Sequence, residues 1–185
     1  MRRSLALAGT RWGLPGWFVL DSLGGTTLVV TAGRIYYLPI FVADPQTYIR
    51  IGAEVTVAGA AGKVIRLGIH AWNKGVPGAL VLDAGTIAAD AVATAEITIS
   101  KLLQGWYFLT FVSDGAPTVR ALLNTYAIPP VSGLRAGQDS VGPVWAILIE
   151  TTGNDAQATG GLADPATAPD TGMGSGGPYI ALREN

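Results

Sequence analysis

Cysteine is missing from this chain altogether, and histidine occurs once. Without cysteine there are no disulfides and no thiolate metal sites, and the redox compartment is left open. With a single histidine besides, only a hard oxygen site of the calcium or magnesium kind could hold a metal. Charge is scarce too. Asp, Glu, Lys and Arg together make up 14% of the 185 residues, against roughly 25% in ordinary soluble domains. The formal net charge of -1 gives no general attraction to nucleic acid. Long apolar runs are absent as well: none approaches the roughly 18 residues of a membrane-spanning helix, so membrane insertion is not expected. The N-terminal MRRSLALAG starts like a secretory signal, but Thr10, Arg11, Gly13 and Pro15 interrupt it at once, and a cleaved signal is not expected.

What the chain does have is apolar content, 49% hydrophobic residues. With so few charges, that surplus points to buried subunit interfaces, and a homo-oligomer is expected.

From Thr26 to about Leu123, short β-type segments alternate with Gly, Pro and Asp punctuation. The expected strands are Thr26–Val30, Arg34–Val42, Tyr48–Val57, Val64–Trp72, Ala79–Asp83, Thr94–Ser100 and Trp106–Val112, followed by Val144–Ile149 and Tyr179–Leu182. Short strands at this spacing predict an all-β fold, an antiparallel β-sandwich of jelly-roll or related type. Residues 26–152 form the sandwich domain, residues 1–25 an irregular N-terminal arm, and residues 153–185 a Gly/Pro/Asp-rich loop ending in a terminal β segment.

Alternation sorts the side chains of two strands. In Tyr48–Val57 the odd positions Ile49, Ile51, Ala53, Val55 and Val57 share one face, with Arg50 and Glu54 on the other. In Val64–Trp72, Ile65, Leu67 and Ile69 oppose Arg66, His70 and Trp72. The outward face Arg50, Glu54, Arg66, His70 and Trp72 is therefore the candidate binding surface. If the two strands form a hairpin, matching the apolar faces allows Glu54 opposite Arg66 and Arg50 opposite His70. Asn73 to Gly78 has the chemistry of a reversing loop. In the arm, Arg2, Arg3, Trp12 and Trp17 are candidate attachment residues.

Catalysis finds little support. His70 has no nearby Ser or Cys in a nucleophile motif, and there is no GxSxG. P-loop, dinucleotide-binding and EF-hand patterns are absent. A glycosidase would need two facing carboxylates, but Asp44-Pro45 and Asp114-Gly115 already read as turns. No catalytic residue, metal ligand or cofactor is assigned. Trp106, Tyr107 and Phe108 are consecutive, so a strand would divide them between its faces as core and interface aromatics. Segment 153–178 cannot bury enough apolar surface to order itself, since fixing each backbone residue costs about 1–2 kcal/mol. It reads as a linker or long loop, with Tyr179–Leu182 anchoring it on a sheet edge or a neighbouring subunit.

The series YYLPIFVADPQTYIRIGAEVTVAGAAGKVIRLGIHAWNKGVPGALVLDAG, with EITISKLLQGWYFLTFVSDGAPTVRAL after it, resembles a β-rich module of tailed-bacteriophage virion proteins, found in tail-fibre, spike, receptor-binding and decoration components. The likeness covers Tyr36 to Leu123 and rests on scaffold features: the Ile-Arg-Leu-Gly-Ile strand, the Gly-Val-Pro-Gly-Ala-Leu-Val return and the Gly-Trp-Tyr-Phe-Leu strand. It implies a virion location, a homotrimer and other virion proteins as partners, and it carries no catalytic or ligand residues across. The expectation is a non-enzymatic virion surface component that helps bind the host, through surface glycans. A ligand-free decoration, collar or tail-connector protein is the alternative, and a carbohydrate-active enzyme or secreted lectin the third reading.

Overall fold

The computed structural model describes residues 17–18, 26–122, 147–149, 153–166, 171–173 and 177–184. In chain order the strands are β1 (Trp17–Phe18), β2 (Thr26–Val29), β3 (Ile35–Val57), β4 (Val64–Asn73), β5 (Val76–Ala88), β6 (Ala93–Ser113), β7 (Thr118–Leu122) and β8 (Ile147–Ile149). A short helix α1 (Asp155–Gly160) follows, then β9 (Thr171–Met173), β10 (Gly177–Pro178) and β11 (Ala181–Glu184). All pairings are antiparallel, and the fold is the expected all-β sandwich.

Two strands are far longer than the sequence suggested. Arg34–Val42 and Tyr48–Val57 run together as β3, and Thr94–Ser100 and Trp106–Val112 as β6. Asp44-Pro45 does not end a strand. It sits where the β3–β6 register jumps from Val42↔Gly105 to Gln46↔Leu103, with Ala43, Asp44 and Pro45 bulging opposite Gln104. A bulge is one of the few places inside a sheet where proline's missing N–H does no harm. On the β6 side Gly105 takes φ +93, which other residues rarely adopt. The long pair therefore divides into two halves, and residues from both enter one core. The first half gives Tyr36, Leu38, Ile40, Leu109 and Phe111; the second gives Ile51, Ala53, Val55, Ile99 and Leu103. Odd positions Ile65, Leu67 and Ile69 of β4 join them, as alternation predicts.

The strand order is β1-β11-β3-β6-β4-β5. This corrects the hairpin expectation: β6 lies between β3 and β4, so Glu54 is opposite Thr94 and never meets Arg66. A second irregularity, between Tyr48 and Arg50, shifts the local alternation. Tyr48 enters the core in place of Ile49, which is only half-buried. Burial, with Glu184 nearby, pushes the Tyr48 phenol up to about 12.

Of the N-terminal arm, Trp17–Phe18 pairs with β11; Arg2, Arg3 and Trp12 lie outside the described residues. The terminal segment is an anchor, as expected, and it is intramolecular: β11 pairs Arg50–Gly52 of β3 while Ile180 and Leu182 enter the main core. Since Leu182 is fully buried, Leu182→Ala should lower unfolding free energy by about 2–5 kcal/mol. Urea denaturation checks this; an unchanged midpoint would place the terminal strand outside the cooperative core.

Candidate functional site

The sheet formed by the first half of β3, the second half of β6, β4 and β5 has two apolar faces. One lies on the main core. The other carries Ile35, Tyr37 and Phe41 of β3, Trp106, Phe108, Thr110 and Val112 of β6, and Arg66, Gly68, His70 and Trp72 of β4. The consecutive Trp106, Tyr107 and Phe108 divide as strand geometry requires: Tyr107 packs on the main core and Phe108 on the second one.

Part of this second face is covered by segment 153–166, which the sequence presented as a linker. Ala158 and Leu162 are buried against Ile35, Tyr37, Phe108 and Val112. Gly68 makes the room: a Cβ there would collide with the Leu162 side chain and lie 2.6 Å from the Leu82 carbonyl. Polar groups from β4 and β5 do the rest. Arg66 donates from Nη1 to both carboxylate oxygens of Asp83, at 2.9 and 3.0 Å. Its Nε and Nη2 donate to the Ala158 and Thr159 carbonyls, at 3.1 Å each, satisfying the C-terminal turn of α1. Asp83 also accepts from the Leu162 N–H at 3.1 Å. Farther on, Asp164 accepts from the Leu80 N–H, and the Ala166 N–H donates to the Gly78 carbonyl, both at 2.9 Å. The signal in the sequence was the pairing of small residues with Leu162 and Asp164, too sparse to stand out from the surrounding Gly and Ala.

His70 lies under the same segment. It does point away from the main core, but it is only 1% exposed, which corrects its assignment to an outward surface. Its Nε2 lies 3.0 Å from the Ala163 carbonyl and its Nδ1 2.7 Å from Thr110 Oγ1. A carbonyl can only accept, so Nε2 carries the proton and Nδ1 accepts from the Thr110 hydroxyl. Burial pushes the imidazole below its ordinary pKa, partly offset by the Ala163 carbonyl, Asp164 and Asp83.

Beyond the covered part the face opens to solvent at an aromatic row. Phe41 lies 4.9 Å from Trp106, Trp106 5.2 Å from Trp72, and Trp72 stacks on Phe108 at 5.0 Å with ring planes 6° apart. Phe41, Trp72 and Trp106 are partly exposed; Phe108 is buried and leads to Tyr37 and His70 through edge-on contacts. Strand pairing places Phe41 directly across from Trp106. The sequence reading selected Trp72 alone, because nothing in it revealed that β6 would bring Trp106 and Phe41 alongside.

Arg50 and Glu54 belong elsewhere. They lie in the second half of β3, where Glu54 pairs with Arg120 at 2.7 Å and Arg50 with Glu96 at 3.8 Å. The Arg120 hydrogen bond holds the Glu54 carboxyl below its usual range. Both pairs are substantially exposed and screened, so each contributes little to stability. The five candidate residues thus split between two regions instead of forming one surface. Among the described residues, no three His, Asp or Glu side chains are placed to hold a metal ion, and no helix is long and apolar enough to cross a membrane.

No protein-family model matches the chain, and no curated protein matches it.

Removing the Asp83 carboxylate would leave the Arg66 guanidinium and the Leu162 N–H without their shared acceptor. Asp83→Ala should cost about 1–3 kcal/mol and speed amide exchange at Leu162 before that of β6. Exchange measured residue by residue checks this; equal protection in both proteins would remove Asp83 from the docking of the segment.

Proposed function

We propose that this chain is a non-enzymatic, oligomeric surface component of a tailed-phage or phage-like virion, and that it holds a host-surface glycan along the row Phe41, Trp106 and Trp72. The virion context rests on the resemblance carried by residues 36–123. The binding role rests on one observation: a partly solvent-open aromatic row at the uncovered end of an otherwise covered sheet face.

The chemistry suits a sugar. A pyranose offers a C–H patch ringed by hydroxyls, and an aromatic surface bordered by polar groups matches both. Asn73 and Lys74 follow Trp72 at the β4–β5 turn, and Gln104 precedes Trp106 by two residues; all three are exposed. A shallow site of this kind binds weakly, and many copies on one particle would multiply weak contacts into useful avidity. The burial of His70 supports the non-enzymatic reading, because both ring nitrogens are engaged within the protein and the side chain is covered.

A second reading, a decoration or connector protein without ligand, has its own support. The rings of the row stack on one another, so part of each face is already used within the protein. A glycan array separates the two readings. Wild-type protein should bind a defined set of glycans, and Trp106→Ala should weaken that binding by about 2 kcal/mol, roughly thirtyfold, with its melting transition retained. Failure of the folded wild-type protein to bind any glycan would favour the structural reading.

A further inference from the structure

Segment 153–166 covers the part of the second sheet face that would otherwise extend the aromatic row, and the His70 imidazole lies beneath its middle, against the Ala163 carbonyl. We infer that this segment is an acid-released latch, docked while His70 is neutral and freed when the imidazole takes up a proton. Release would join Tyr37, Phe108 and Leu80 to Trp72 as one longer apolar strip. The inference does not depend on whether the row binds a glycan.

His70 is enclosed by Tyr37 of β3, Thr110 of β6, its own strand β4, Leu80 and Asp83 of β5, and Ala163 with Asp164 of the segment. Four of these elements are ladder-bonded strands. The fifth, the segment, is held by separate hydrogen bonds with Arg66, Asp83, His70, Leu80 and Gly78, with Leu162 and Ala158 as its buried apolar contacts. A second proton, on Nδ1, would point at Thr110 Oγ1, whose own hydrogen would have to turn away. The resulting cation would sit in a site 1% exposed, where an unsolvated charge is costly. Moving the segment hydrates it without breaking a strand.

Nearby charges do not reverse this. Asp164 and Asp83 favour the cation, but burial outweighs them and the imidazole lies below its ordinary pKa; Asp83 is also engaged by Arg66. With the pKa lowered in the docked state, docking is fully stabilised above the ordinary histidine value of 6.5. That stabilisation is lost as pH falls below this value, because the released state binds the extra proton.

Hydrogen exchange of the full chain at about pH 8 and about pH 5, the ends of the histidine range, with rates corrected for intrinsic exchange, tests the latch. Peptides covering 158–166 should lose protection at acid pH, while 107–113 of β6 keeps its own. His70→Gln should abolish the pH dependence. The latch is overturned if protection is the same at both pH values or if β6 loses protection in parallel. It is also overturned if the effect persists in His70→Gln. Should His70→Gln leave the segment unprotected already at about pH 8, the wild-type titration decides. A one-proton release centred below 6.5 supports the latch, and a multi-proton curve overturns it.

Discussion

Strand β6 hydrogen-bonds β3 along one edge and β4 along the other, and this double pairing sets where the other elements can sit. Between Phe108 and Ser113 every residue of β6 is buried, so both faces of the strand must be covered. The main core covers one. On the other, segment 153–166 supplies the cover, with Ala158 and Leu162 packed on Ile35, Tyr37, Phe108 and Val112. Within this layer the buried Thr110 hydroxyl donates to His70 Nδ1 and His70 Nε2 donates to the Ala163 carbonyl, as buried polar side chains require partners.

The bend in the β3–β6 pair has a second consequence. By turning at the Ala43–Pro45 bulge and Gly105, the two strands contribute to both halves of the sandwich, and one core serves both. The aromatic row lies beside this corner, with Phe41 two residues before the bulge and Trp106 next to Gly105. Its rings continue without a break into the layer beneath the segment, through Phe108, Tyr37 and His70. Open row and covered layer are therefore two parts of one apolar face, which links the proposed contact surface to the segment that limits its extent.

Alternation was the legible part of the sequence. A period of two placed Ile51, Val55, Ile65, Leu67 and Ile69 in the core correctly, because in a strand that period follows from backbone geometry alone. It misplaced Ile49, since a bulge is invisible in a polar–apolar pattern. The partner of a strand was not legible either. Val64–Trp72 follows Tyr48–Val57 after a short loop, as a hairpin would, yet β6 intervenes; only long-range packing distinguishes the two arrangements. His70 was read on the correct face but as exposed, because its cover comes from residues 93 positions later. That cover looked like a linker because its docking relies on two buried side chains and on backbone groups gripped by Arg66 and Asp83. Composition does not register such contacts.

The position of β6 between β3 and β4 is the claim on which the fold, the row and the covering segment all depend. The chain's lack of cysteine makes a direct test clean. Glu54 and Thr94 are register partners in the β3–β6 ladder, at the separation a disulfide requires, and both lie on the outer side of the sheet. Glu54→Cys paired with Thr94→Cys should form an intramolecular disulfide in the folded protein under mild oxidation, read on a non-reducing gel and by mass. Glu54→Cys paired with Arg66→Cys should not. Crosslinking of the second pair in place of the first would contradict the account, for β3 and β4 would then be neighbours and β6 would lie elsewhere.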